Sequence, residues 1–212
     1  MGIVDSAPAL RKSTALPRGA CDFLEWRADR LGAGIPKSRL PWIVTARHPA
    51  EGGAGNLAAA PRRELMLRLL PAAALVDVEI RSFDSMRVVL EEARSLGVGV
   101  VASFHDFRKT PATTILRGKV REAAEAGAAV AKIATAVDSP ADVAKLLALF
   151  ENAPLPLAVM GMGTHGKTSR LLFAGCGSVL NYGWISKPNV PGQWSAVGLR
   201  ALFRECIHPN RN

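Results

Sequence analysis

A chain of 212 residues, 49% hydrophobic and 21% charged, is long enough for one well-buried domain and too apolar for a disordered tail, so residues 1–212 are expected to form a single domain. Its formal charge of +9 invites a nucleic-acid partner, but the Lys and Arg residues are spread along the chain and one Tyr gives no base-stacking interleave; a basic surface or a small anionic ligand fits better. No apolar run nears the roughly 20 residues of a membrane helix. The opening MGIVDSAPALRKS has no signal-type stretch, and Cys21, Cys176 and Cys206 read as free thiols, so a cytoplasmic protein without membrane contact is expected.

In chain order, short β-branched runs alternate with longer amphipathic segments. A first strand is expected at Ile3–Val4, then strands at Asp22–Arg27 (DFLEWR) and Trp42–Arg47 (WIVTAR). Twenty positions from Arg27 to Arg47 leave little room for a crossover helix, and Pro8 and Pro17 punctuate the start. The first strand and first two helices are therefore expected to be abbreviated or missing. A helix at Arg62–Leu70 leads to a strand at Leu75–Ile80, and a helix at Ser85–Leu96 to a strand at Gly99–Phe104. Helix Ala112–Ala126, strand Ala129–Ala134, helix Pro140–Phe150 and strand Leu155–Met160 follow. Helix Lys167–Ala174, strand Ser178–Tyr182 and helix Ser195–Arg204 close the series. Asp84-Ser85, Thr110-Pro111 and Asp138-Ser139-Pro140 are expected caps, and Gly97, Gly127 and Gly175 expected ends.

This alternation requires parallel strands joined by crossover helices, and the strand count fits a (β/α)8 TIM barrel. The polar residues support closure. Glu25, Arg27, Arg47, Glu79, His105 and Lys132 each fall late in a predicted strand or just past it. In a parallel barrel those positions converge on one mouth, where βα-loops build sites.

Gly161-Met-Gly-Thr-His-Gly-Lys167-Thr168 fits the phosphate-loop pattern G-x-x-x-x-G-K-[ST] and lies between a strand and a helix, as that pattern needs. A nucleotide hydrolase also needs a magnesium carboxylate on a later strand. After the loop the only acid is Glu205, so the glycines are read as a seat for a carboxylate supported by Arg170.

Lys132, in VAKIA, either snorkels to the surface or is held in an apolar pocket, where burial makes it a nucleophilic amine near neutral pH. Such an amine condenses with a ketone to an iminium that accepts electrons from the adjacent carbon. His105, in SFHDF, lies one strand away; it is either a structural histidine or a base that then serves as acid. Glu79, one strand earlier, is expected to hydrogen-bond the imidazole and fix its tautomer. Arg27, Arg47 and Arg170 offer planar forks for a carboxylate and hydroxyls, with Glu25 as an acceptor. A small, anionic, polyhydroxylated keto-acid is the implied substrate.

With these residues in hand, the sequence resembles the type I 3-dehydroquinate dehydratases. The resemblance rests on FLEWRAD (23–29), TARHPAEGG (45–53), VDVEI (76–80), SFHDF (103–107), AKIA (131–134), the SR of 169–170 and PGQWS (191–195). It implies a Schiff base on Lys132, proton transfer by His105 and support from Glu79. It also implies substrate contacts from Glu25, Arg27, Arg47, Arg170 and the lid residue Gln193. Where the family commonly has a serine, four residues before that glutamine, Asn189 stands and keeps hydrogen-bonding ability at a different reach. The implied reaction is lysine-mediated dehydration of 3-dehydroquinate to 3-dehydroshikimate, with no metal and no dissociable cofactor. A class I aldolase and a non-catalytic binding relative are the rival readings. The outer faces of Asp22–Arg27 and Trp42–Arg47, short of helices to cover them, are expected to be closed by a homodimer or by the N-terminal twenty residues.

Overall fold

The parallel crossovers expected from the sequence curl into a barrel in the computed structural model of the protein, which describes residues 1–207. The strands are β1 (Gly2–Val4), β2 (Leu24–Arg27), β3 (Trp42–Thr45), β4 (Ala73–Glu79), β5 (Gly99–Asp106), β6 (Val130–Ala136), β7 (Leu157–Met162) and β8 (Gly183–Trp184). Every ladder is parallel, in the order β7-β6-β5-β4-β3-β2-β1-β8. Helices α1 (Ala7–Thr14), α2 (Ala28–Leu31), α3 (Ala59–Leu69), α4 (Arg87–Ser95), α5 (Thr113–Glu125), α6 (Pro140–Leu147), α7 (Gly166–Gly175) and α8 (Ala196–Cys206) follow the strands in turn. The fold is a (β/α)8 barrel with a three-residue first strand, an eight-residue α1 and a single-turn α2.

The gap between β7 and β8 is bridged by the segment before β8. The Val179 N–H donates to the Leu157 carbonyl at 2.8 Å, and the Val159 N–H to Ser178 Oγ at 3.0 Å. The strand expected over Ser178–Tyr182 is thus an irregular edge, and the regular pairing begins at Gly183. A Cβ there would stand 2.5 Å from Ala196 Cα, so only glycine lets β8 pass beneath the start of α8.

Side chains alternate along each strand, and this period of two sets the site on its floor. Ile3, Ile43, Val101, Val130, Ala158 and Leu180 pack as one buried cluster inside the barrel. Two residues further along the chain from four of these stand Asp5, just past β1, Thr45, Ser103 and Lys132, and two further again Arg47, just past β3, and His105. An apolar floor therefore passes into a polar layer at the C-terminal mouth.

The outer faces of β2 and β3 are covered within the chain, in part by the N-terminal twenty residues, the second of the two expected covers. Leu24, Trp26, Trp42 and Val44 are all buried, beneath Leu10 and Leu16, Leu31, and Ile35 and Leu40 of the segment before β3. The two indoles meet edge to face at 5.6 Å, and their N–H groups donate to the carbonyls of Gly32 and Pro36. Burying each such side chain contributes roughly 1.5–3 kcal/mol. The N-terminal segment supplies part of this cover because Pro8 sits in the first turn of α1, where its missing N–H costs nothing, behind the cap Ser6.

Candidate functional site

Lys132 projects from the middle of β6 and is only 4% exposed. Its Nζ donates to Asp77 Oδ2 at 2.8 Å, lies 3.9 Å from Glu25 Oε1 and stands 4.0 Å from the centroid of the Tyr182 ring. Burial pulls its pKa below the ordinary lysine value, against the opposing pull of Asp77. Of the two readings of this lysine, the buried pocket is the one observed.

Asp77 was not singled out in the sequence, yet it is the hub of the buried charges. It accepts both arms of the Arg47 fork at 2.9 and 2.8 Å, the Ser103 hydroxyl at 2.6 Å and the Lys132 ammonium. Burial would lift its carboxyl, but Arg47 and Lys132 hold it well below the ordinary aspartate value. The signal was present: in VDVEI, Asp77 and Glu79 are two apart and share a face.

Arg47 is fully engaged by this hub. It also reaches Glu79 at 3.1 Å and Ser103 at 2.6 Å, so its fork holds the carboxylate layer together in the structure. Glu79 does not touch His105, which corrects the expected partnership. Its oxygens accept from Arg47, from the His48 N–H at 2.8 Å, from Ser82 Oγ at 3.1 Å and from the buried Arg62 of α3.

The partner of His105 is Glu51, a second residue the sequence reading passed over. Glu51 Oε2 accepts the His105 backbone N–H at 3.0 Å and lies 2.9 Å from Nδ1. Two glycines make that reach: Gly52 turns at φ +85°, and a Cβ on Gly53 would fall 2.1 Å from the Arg47 carbonyl oxygen. The EGG of TARHPAEGG was the available sequence signal. Burial lifts the Glu51 carboxyl to about 7. Burial, reinforced by Arg47 and Lys132, drops the His105 imidazole well below its ordinary value, so it is a neutral base at physiological pH. With Glu51 ionised, Nδ1–H donates to it and Nε2 is left to take a proton.

Around this pair the remaining expected residues fall into two groups. Glu25 accepts the Thr45 hydroxyl at 2.9 Å and joins the Lys132 pocket. Arg27 is clamped in a fork by Asp29 at 2.9 and 2.8 Å and reaches the Gly52 carbonyl at 3.2 Å, which ties the loop bearing Glu51 to β2. On the opposite wall, Arg170 of α7 is 4% exposed and bonded to two carbonyls, Gly161 at 3.0 Å and Tyr182 at 3.1 Å, with no carboxylate among the described residues. Burial lowers its pKa to about 10. A buried guanidinium held by carbonyls alone is a ready seat for an anion. Gln193 Oε1 accepts the Asn189 N–H at 2.9 Å, and Asn189 Nδ2 donates to Asp5 Oδ2 at 2.7 Å, so this loop is latched to the end of β1.

The phosphate-loop letters describe close packing. A Cβ on Gly161 would meet Ser169 Oγ at 2.1 Å, and one on Gly166 would meet Gly192 Cα at 2.9 Å. Lys167 lies over the Trp194 ring at 4.6 Å, and its carbonyl accepts the Trp194 indole N–H. These glycines seat α7 against β7 and the Asn189–Gln193 loop. A hollow of about 430 Å³ lies at the other end of the barrel, between Met1, Phe23, Leu180 and Phe203, and contains none of these side chains.

A family model described as type I 3-dehydroquinase matches residues 4–208. The 3-dehydroquinate dehydratase of Hydrogenobaculum sp. is 33% identical over 185 residues, covering 82% of this chain and 83% of that protein. That of Methanosarcina acetivorans is 34% identical over 216 residues, covering 91% and 88%. The crystal structure of 3-dehydroquinate dehydratase from Geobacillus kaustophilus superposes with a TM-score of 0.84 at 28% identity, over 99% of this chain and 91% of that one.

Proposed function

We propose a mechanism for this chain on the premise that it belongs to the type I 3-dehydroquinase family. The activity that goes with membership is the lyase reaction that dehydrates 3-dehydroquinate. In the mechanism proposed, Lys132 supplies a Schiff base and His105 the proton transfers.

Lys132 passes its ammonium proton to neutral His105 and attacks the ketone carbon of the substrate as an amine; the imidazolium returns that proton to the carbinolamine hydroxyl, which departs as water and leaves an iminium. His105 Nε2 removes a proton from the adjacent carbon, and the C–H electrons flow into the iminium to give an enamine. The imidazolium, stabilised by Glu51 at Nδ1, then protonates the departing hydroxyl, which leaves as water while the enamine electrons return and rebuild the iminium. A second water hydrolyses that imine and frees Lys132. Glu51, in place of Glu79, is the orienting acid of this scheme. Arg170 takes the substrate carboxylate. Glu25, Arg27, Gln193 and Asn189 line the approach, and Arg47 acts through Asp77.

The observation that carries this reading is the buried amine of Lys132, kept below its ordinary pKa and next to the strand that bears a neutral His105. Turnover of 3-dehydroquinate, followed by the absorbance of the conjugated product, tests it with Lys132→Arg. That variant keeps a cation facing Asp77 but cannot form an imine, so activity is expected to vanish. Turnover retained in Lys132→Arg would remove the Schiff base from the mechanism.

A further inference from the structure

Tyr182 has no part in the mechanism above, yet it is packed against the reacting atom. It is the chain's single tyrosine, it precedes β8, and Lys132 Nζ stands 4.0 Å from its ring centroid. Its hydroxyl is the one buried side-chain polar atom among the described residues without a hydrogen-bond partner. Its backbone carbonyl holds Arg170 at 3.1 Å, so the residue also joins the amine wall to the wall that carries the Arg170 guanidinium.

The chemistry at Nζ makes an aromatic face there more than packing. In the resting state the ammonium has three N–H donors and gives one to Asp77 at 2.8 Å. Condensation with a ketone leaves a single N–H on nitrogen while the positive charge remains. Hydrogen-bond acceptors lose purchase at that step; a ring face does not, because its quadrupole acts on charge and needs no donor. The other groups around Nζ are Asp77 on β4, Glu25 on β2, Arg47 beyond β3 and His105 on β5. Arg47 opposes a cation, and Asp77 is already shared with Arg47 and Ser103.

We infer that the face of Tyr182 is the platform that holds the cationic imine on Lys132, a further catalytic residue acting through its ring. The inference rests on the Schiff-base reading. The orphaned hydroxyl supplies the control, because Tyr182→Phe deletes it and keeps the ring.

The test compares the full chain with Tyr182→Phe and Tyr182→Leu. Each is incubated with 3-dehydroquinate and borohydride across a pH series; the fraction reduced onto Lys132 is read by mass, and kcat and KM by product absorbance. Tyr182→Phe is expected to trap and turn over within about twofold of wild type, as a ring contact requires. Tyr182→Leu is expected to lose roughly tenfold in trapped fraction and kcat with KM little changed, and its trapping midpoint should fall by about one pH unit because the ammonium loses a partner. Should Leu fail to fold, Tyr182→Met, which fills irregular gaps, carries the same expectation. Undiminished trapping in a folded Leu or Met variant would overturn the inference, as would a Phe variant as impaired as Leu. Absence of trapping on Lys132 in the wild type would instead overturn the Schiff-base reading beneath it.

Discussion

Glu51 is pulled in two directions, and the balance is measurable. Burial raises its carboxyl from an ordinary value to about 7, so between those values the folded chain holds a proton that the unfolded chain has released. Stability associated with this group is therefore present at low pH and lost as pH rises toward 7. Glu51→Gln keeps the shape without the charge and is expected to be stabilised relative to wild type at pH 8 but not at pH 4, by comparison of melting temperatures. Its kcat should drop by roughly tenfold or more, since each pKa unit of imidazolium stabilisation lost from His105 is worth that factor. Equal melting shifts at both pH values would mean that Glu51 is not buried as a carboxylate. His105 and Lys132 stood out in the sequence because each is a polar residue in an apolar strand, and Arg170 because it follows the glycine-rich loop. Glu51 and Asp77 were not, because their roles depend on a glycine-turned loop and a shared strand face, and Glu79 took the role that Glu51 fills.

Strands were legible from their apolar runs, while helix starts depended on details that composition does not carry. Ser139 caps α6 as expected, its Oγ accepting the Asp142 N–H at 3.3 Å. Asp84-Ser85 and Thr110-Pro111 do not cap: α4 opens behind Met86 and α5 behind Ala112, and Thr110 turns to bond Thr135 and the Ala136 carbonyl. Gly97 and Gly127 end helices in the left-handed region, whereas α7 runs through Gly175 and the positive φ comes at Gly177. The helix α3 carries a feature that periodicity hides, a fully buried arginine. Arg62 donates to the Ala46 carbonyl at 2.8 Å and pairs with Glu79, which pins α3 to the ends of β3 and β4. Arg62→Met would leave Glu79 short of a cation and is expected to cost about 3–5 kcal/mol of stability, read by denaturant unfolding. A loss below about 1 kcal/mol, the scale of an exposed pair, would show that the ion pair is not buried in solution. The loop before α7 yields another expectation: with Lys167 laid over Trp194 and the glycines filled by packing, magnesium-dependent nucleotide affinity should be absent. Micromolar affinity lost in Lys167→Ala would contradict that account of the loop.

For the molecule as a whole, the barrel followed from strand–helix alternation and the mouth from polar residues late in the strands; the cover over β2 and β3 was left between a homodimer and the N-terminal twenty residues, and the latter supply part of it. The abbreviated α1 joins Leu31, Ile35 and Leu40 in the layer that buries Leu24, Trp26 and Trp42, and the share taken by the segment before β3 was not legible. The packing ground for a homodimer on that side is thereby removed, since those faces are closed within one chain. No helix among the described residues is long and apolar enough to cross a membrane. Central to the proposed mechanism is one covalent bond, between a buried amine on β6 and a ketone, and one measurement reaches it directly. The enzyme is mixed with 3-dehydroquinate, reduced with borohydride, digested and mapped by peptide mass. The account predicts a single reduced adduct, on Lys132, with activity lost in proportion to its formation. An adduct on another lysine, or full activity surviving with no adduct, would contradict it.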